Sequence, residues 1–433
     1  MFFTNPFGHH VSEWKQLAEK SGLLPGGRPS PRAQARQASA VPGELRKEPF
    51  RISISDNVLA DLHQRLTKTR FPGDMGNEGW DYGTEQGYLE ELVRYWVKGF
   101  DWKAQERAMN AFNHYRTTID GITLHFIHEQ GRGPNPIPLV LTHGWPWTFW
   151  DMQKIIRPLT HPAEFGGDPR DAFDVVVPSL PGFGFSTPLK QTRVSCWSTA
   201  DLWVRLMQDV LGYSRFGAHG GDFGAFITSQ LGHKYADRLI GAHITLPAPL
   251  DVVTAGMPAP SAYAPDEQEA LTRTLRFTME SSGYSNIQST RPQTLSYAMH
   301  DSPAGMCAWM LEKRRAWSDC GGDVEKVFSK DDLLTAMTLY WATESFDTAA
   351  RYYYETAHNP WEPSHSRTPV VEAPTGVAIF PKDVFQMPRA WVEQHYNLQR
   401  WTTFPVGGHF GPMEQPELLV EDLRAFFRPL RGT

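Results

Sequence analysis

The 433-residue chain is short of cysteine: there are three, Cys196, Cys307 and Cys320. An odd, sparse set does not make a disulfide framework, so reduced thiols in a cytoplasmic setting are expected. No CxxC pair, HExxH helix or other metal-ligand spacing occurs, and no metal is expected. The chain also lacks a GxGxxG fingerprint and a GxxxxGK[ST] loop, which leaves no indication of a nucleotide cofactor. No apolar run approaches the roughly 20 residues of a membrane-spanning helix. The first residues offer Phe2 and Phe3 but soon meet Glu13, Lys15, Glu19 and Lys20, so the apolar core of a signal peptide is missing too. Positive charge is not in excess. A formal net charge of −6 sets aside nucleic acid and anionic membrane as main partners.

What is present is the composition of a globular chain with a sizeable core, 40% hydrophobic and 21% charged. Residues 1–46 are expected to be a disordered leader, because Gly26 to Arg36 is polar, basic and rich in Pro and Gly; a basic interaction arm is the other reading. Phe50 to Ile54 alternates as an edge strand would. Ser55 then suits the cap of a helix with Val58, Leu59, Leu62 and Leu66 on its apolar face. Helical patterns follow over Gln86 to Lys98 and Ala104 to Phe112. Two β-rich runs, Tyr115–Ile119 and Ile122–Ile127, flank Asp120-Gly121 and predict a hairpin. Short apolar strands are expected at Leu139–Leu141, Asp174–Val177, Ser214–His219, Leu239–Ile244, Val377–Phe380 and Trp401–Phe404. Strands alternating with helices imply a mainly parallel sheet covered on both faces. The stretch 250–369 has no comparable strands and reads as a helical insertion between two halves of that sheet.

Six residues, Gly220-Gly221-Asp222-Phe223-Gly224-Ala225, follow the strand at Ser214–His219 and precede a helical run. Strand, tight turn between small residues and helix is the setting of a nucleophile elbow, here carrying aspartate instead of serine. A carboxylate attacking an acyl carbon would give a reactive anhydride. Attacking a saturated carbon it gives an ordinary ester that water can cleave, so Asp222 points to displacement at an sp3 carbon, as in an epoxide or alkyl halide. Standing alone, the same string also reads as a plain turn. Its companions are His409, in the Gly-flanked loop after the last strand and suited to act as base, and Asp383, after Val377–Phe380 and suited to orient it; a turn or N-cap aspartate is the plainer reading of Asp383. His143-Gly144-Trp145-Pro146 follows an earlier strand, where the N–H groups of Trp145 and Phe223 could form an oxyanion hole. The aromatic run Trp145, Trp147, Phe149 and Trp150 is also readable as a core turn.

Together these motifs resemble the epoxide hydrolase family of the microsomal type. The resemblance runs from about residue 48 to 430, through Phe50-Arg51-Ile52, HGWP at 143–146, VVPSLPGFGFS at 176–186, GGDFG at 220–224 and GGHF at 407–410. It implies an α/β-hydrolase fold divided into an N-terminal region (47–115), a first core half (116–249), a helical cap (250–369) and a second core half (370–433). It also implies two cap tyrosines that bind the epoxide oxygen and protonate it as the ring opens. The Gly283-Tyr284 segment ahead of Thr290-Arg291-Pro292 selects Tyr284, and Arg351-Tyr352-Tyr353-Tyr354-Glu355 selects Tyr353. Phenols suit that task because they donate at neutral pH. The expected activity is hydrolysis of a small apolar epoxide to a vicinal diol through an ester on Asp222, with water as co-substrate and no cofactor. No membrane anchor is expected, and a homodimer stays open. The chain departs from the family where Trp147-Thr148 replaces the Gly-Ser that often follows HGWP, so Trp147 and Trp150 are expected to touch substrate. Two other readings share parts of the pattern. A haloalkane dehalogenase-like hydrolase would usually carry tryptophan at Phe223, and a non-catalytic binding protein on this scaffold would have lost a member of the triad.

Overall fold

The computed structural model describes residues 45–251 and 257–432. All but the last two residues of the expected leader lie outside the described residues; at its end, Leu45 donates its N–H to the carbonyl of Thr118. Nine strands form one sheet: β1 (Glu48–Phe50), β2 (His114–Ile119), β3 (Ile122–Glu129), β4 (Ile137–Thr142), β5 (Phe173–Pro178), β6 (Phe216–Gly220), β7 (Leu239–Ile244), β8 (Val371–Ile379) and β9 (Tyr396–Thr403). Their spatial order is β1-β2-β3-β5-β4-β6-β7-β8-β9. The first three strands and the β3–β5 pair run antiparallel, and all later pairs are parallel. The hairpin turns at Asp120 and Gly121, with φ of 52° and 74°, the left-handed pair a two-residue I′ turn requires.

β1 stops well before the expected Ile54. The N–H groups of Ile52 and Ile54 go instead to the Asn110 and Glu106 side chains, at 3.0 and 2.8 Å, so the segment is tied to a helix end and not to a strand. That helix is the third of three that follow β1: α1 (Asp56–Thr67, capped by Ser55), α2 (Gln86–Lys98) and α3 (Trp102–Met109). The central strands β4, β6 and β7 are buried almost throughout. Continuous apolar strands of this kind need cover on both faces. It comes from α4 (Gln153–Thr160), α5 (Cys196–Arg205) and α6 (Phe223–Lys234), and later from α15 (Pro416–Phe427). Between β7 and β8 the described residues form no strand. They make α7 (Gln268–Arg276), α8 (Gly283–Thr290), α9 (Pro292–Asp301), α10 (Pro303–Trp317), α11 (Lys330–Ala342) and α12 (Phe346–His358). α8 and α9 both pack on α12. Two short helices, α13 (Arg389–His395) and α14 (Gly411–Glu414), flank β9.

Candidate active site

The turn from β6 into α6 is possible only because two residues lack a side chain. A Cβ on Gly220 would stand 2.2 Å from the carbonyl of Gly224, and one on Gly224 would stand 2.0 Å from the carbonyl oxygen of Thr142 on β4. Between them Asp222 adopts φ 53° and ψ −128°, a conformation rare for a residue with a side chain and worth roughly 1–3 kcal/mol of strain. The strained backbone aims the carboxylate away from the sheet. Its Oδ1 accepts the N–H of Phe223 at 2.8 Å and that of Trp145 at 3.0 Å. Asp222 also caps α6, where the helix dipole favours negative charge.

His409 and Asp383 arrive from the ends of β9 and β8. His409 Nε2 lies 3.3 Å from Asp222 Oδ2, and its Nδ1 is 2.7 Å from Asp383 Oδ1. Asp383 Oδ1 also accepts the Val384 N–H at 2.7 Å. Burial works against a charged His409 ring, but the Asp383 charge and the hydrogen bonds to Asp222 and Asp383 outweigh it and raise the imidazolium to about 10. The ring therefore carries its proton at neutral pH.

Opposite the carboxylate is a cavity of about 360 Å³ whose lining includes Asp222, Phe223, Tyr284, Trp317, Tyr353 and Phe385. Tyr284, on α8, stacks on Trp145 with centroids 5.1 Å apart and planes 9° from parallel. Tyr353, on α12, stands edge-on to Trp145 at 5.7 Å and to Phe223 at 4.6 Å. Burial raises both phenols, with the negative charge of Asp222 adding to the effect, so each keeps its proton at neutral pH. The neighbours of Tyr353 face elsewhere: Tyr352 shares a 2.7 Å hydrogen bond with Thr199, and Tyr354 stacks on His358.

Asp222, His409, Asp383, Tyr284, Tyr353 and the N–H groups of Trp145 and Phe223 thus meet at one place. Trp147 and Trp150 do not, and here the expectation is corrected. Neither indole lines this cavity. Trp147 packs behind the histidine, edge-on to His409 at 5.4 Å, and Trp150 lies edge-on to Phe112 at 5.7 Å. Both are under 10% exposed, at 1% and 7%, because the Thr148 capping turn folds this segment into the core. Sequence reasoning missed Trp317, which lines the cavity and lies 5.1 Å from Tyr284 and 5.2 Å from His409. It also missed the buried pair of Arg314 with Asp151. Arg314 Nη2 donates to the Pro146 carbonyl at 2.7 Å and bonds Asp151 Oδ2 at 3.1 Å. Nothing local in the sequence joins positions 151 and 314. His143 is the first residue of the HGWP motif at 143–146. It accepts the Leu180 N–H on Nε2 at 3.1 Å, which leaves Nδ1–H for the Gly144 carbonyl at 2.9 Å, and burial lowers it to about 4.

Among the described residues no group of three or more His, Cys, Asp or Glu is arranged to hold a metal, and no helix is long and apolar enough to cross a membrane. Residues 47–152 match the family model "Epoxide hydrolase N terminus", and residues 137–274 match "alpha/beta hydrolase fold". The chain is 34% identical over 403 residues to "Epoxide hydrolase 1" of Oryctolagus cuniculus, covering 87% of this chain and 88% of the relative. The chain belongs to the epoxide hydrolase family. A Stigmatella aurantiaca protein whose name assigns it provisionally to the epoxide hydrolases is 40% identical over 385 residues, which is 89% of this chain and 85% of the relative. Among solved structures, the juvenile hormone epoxide hydrolase of Bombyx mori superposes with a TM-score of 0.79 at 28% identity, over 89% of this chain and 95% of its own. The Aspergillus niger epoxide hydrolase does so with 0.77 at 29% identity, over 89% and 96%. The protein is therefore an enzyme, an epoxide hydrolase, and its sheet with covering helices is the α/β-hydrolase fold.

Proposed function

We propose that this epoxide hydrolase converts a small apolar epoxide to a vicinal diol through a covalent ester on Asp222. The observation that carries the reading is the asymmetry of that carboxylate. Oδ1 is fixed by two backbone N–H groups, whereas Oδ2 has no backbone donor and lies on the histidine side. In the first step Oδ2 attacks an epoxide carbon, the C–O bond of the ring breaks, and Tyr284 or Tyr353 gives a proton to the departing oxygen. Asp222 then carries no charge, so His409 loses one of the two anions that raise it; its proton passes through solvent to the tyrosinate, which restores the phenol and leaves a neutral imidazole able to act as base. In the second step water passes a proton to His409 and adds to Cγ of Asp222. The charge that develops on Oδ1 meets the Trp145 and Phe223 N–H groups already aimed at it. The ester bond breaks, His409 gives the water proton to the leaving alkoxide, the diol departs, and the new Asp222 carboxyl hands its proton to His409, which restores the starting state.

The test uses styrene oxide as probe. The wild-type enzyme is expected to form the diol. His409→Gln is expected to stop after the first step and hold one substrate mass on the peptide containing Asp222, whereas Asp222→Ala forms neither adduct nor diol. Diol formation by the wild type with no adduct in the His409 variant would sink the covalent route.

A further inference from the structure

The backbone of the loop that carries His409 is held donor by donor. Gly407 gives its N–H to Asp319 Oδ2 at 2.9 Å, and His409 gives its own to the Trp317 carbonyl at 2.8 Å. The other two N–H groups go to one side chain: Gly408 donates to Glu414 Oε2 at 2.9 Å and Phe410 to Glu414 Oε1 at 2.8 Å. The Glu414 carboxylate takes a third donor, the N–H of Asp319, on Oε2 at 2.8 Å. One carboxylate on α14 thus joins the histidine loop on both sides of His409 to the segment leaving α10. The contact is close. A Cβ on Gly408 would stand 2.6 Å from the Trp317 carbonyl oxygen and 2.9 Å from the Asp319 nitrogen.

We propose that Glu414 is a positioning residue that sets His409 for the ester-cleaving half of the reaction. The inference rests on the covalent route proposed above. Charge-assisted bonds from backbone N–H groups are short and directional, and on the Gly408 flank of the histidine there is no side chain to pack in their place. The ring itself is fixed at Nδ1 by Asp383, so the clamp governs where Nε2 points relative to Asp222. The first step draws on His409 only as a neighbouring charge. The second needs Nε2 aligned on a water and on the ester carbon, and a misplacement of about 1 Å there can cost on the order of 100-fold. Burial, against the pull of the three donors, raises the Glu414 carboxyl to about 7, so the clamp is tested on the alkaline side, at pH 8.

Glu414→Gln keeps the shape but turns an amide donor toward at least one of the three N–H groups. With styrene oxide at pH 8, rates are measured per active site titrated by adduct, which removes any unfolded fraction. Ester cleavage is expected to slow roughly 10- to 100-fold, while ester formation stays within about threefold of wild type, so the Asp222 adduct becomes visible at steady state. Glu414→Asp, which keeps the charge but withdraws it, is expected to show the same split and covers the case in which the glutamine variant does not fold. Equal losses in both half-reactions, or unchanged ester cleavage, overturn the proposal. The His409→Gln adduct is run alongside: its absence would condemn the covalent route itself, a result distinct from a Glu414 variant that behaves as wild type.

Discussion

In the proposed route Asp222 combines two needs in one side chain: an oxygen anchored by two backbone donors, and another left free to react. The anchoring donors are backbone groups, which cannot rotate away, so mutation of neighbouring side chains leaves them in place. The tyrosines are different, because each hydroxyl depends on its ring being held. Tyr353 is held edge-on between Trp145 and Phe223, whereas Tyr354 lies outside the cavity against His358. Tyr353→Phe is accordingly expected to slow ring opening by about 100-fold or more, within the usual range for a lost general acid, and Tyr354→Phe to leave it near wild type. Single-turnover rates of ester formation decide the matter, and the reverse ranking would place the acid one residue later.

At the scale of elements, α10 is the strut that ties the helical segment to the catalytic loops. Near its C-terminal end Arg314 pairs with Asp151, donates to Pro146 next to Trp145, and lies 4.4 Å over the ring of Phe410 next to His409. Three residues on, the Trp317 carbonyl receives the His409 N–H. Removing one partner of a buried ion pair leaves the other uncompensated, at a cost of about 3–5 kcal/mol. Arg314→Met is therefore expected to lose that much stability in urea denaturation and to lower kcat/KM as the Trp145 turn shifts. Adding Asp151→Leu should restore part of the stability without the activity. A loss below about 1 kcal/mol in the single variant would show that the pair does not hold the loops.

Across the whole molecule, the core contains histidines that are neutral by necessity. His114 donates from Nε2 to the Met109 carbonyl, its Nδ1 accepts from His125 Nε2 at 2.9 Å, and His125 Nδ1 accepts from Ser179 at 2.9 Å. Burial lowers His114, His128 and His143 to about 4 each, and lowers His125 well below its ordinary value. The unfolded chain takes up protons at these positions from about pH 6.5 downward, and the folded one does not until much lower. Their contribution is thus complete above about pH 6.5 and lost as pH falls toward 4. His409 has the opposite sign. Raised to about 10, it contributes fully below about pH 6.5 and the contribution is lost as pH rises through 10. Unfolding free energy measured by urea titration is expected to fall on both sides of neutrality and more steeply in acid, where several histidines act together; a flat profile between pH 6.5 and 4.5 would contradict this.

The sequence by itself determined most of the elements, the family and the residues to which the proposed chemistry is assigned. Period-two and period-3.6 patterns, the Asp120-Gly121 turn and the Ser55 cap are local signals; they found each of the nine strands, though β8 and β9 begin six and five residues before the expected Val377 and Trp401. The co-linear motifs around Asp222, Asp383 and His409 depend on strand ends and tight turns, which short stretches of chain also encode. The tertiary structure alone decided what meets across distance. β1 ends early because its donors go to Asn110 and Glu106, some fifty residues away. Trp147 and Trp150 belong to the core and not to the cavity, since sequence cannot say on which side of a loop an indole packs. The contacts of Arg314 with Asp151 and of Glu414 with Asp319 join residues 163 and 95 positions apart. Periodicity decays within a helix or strand, and a hydrogen bond between two such elements leaves no trace in either one alone.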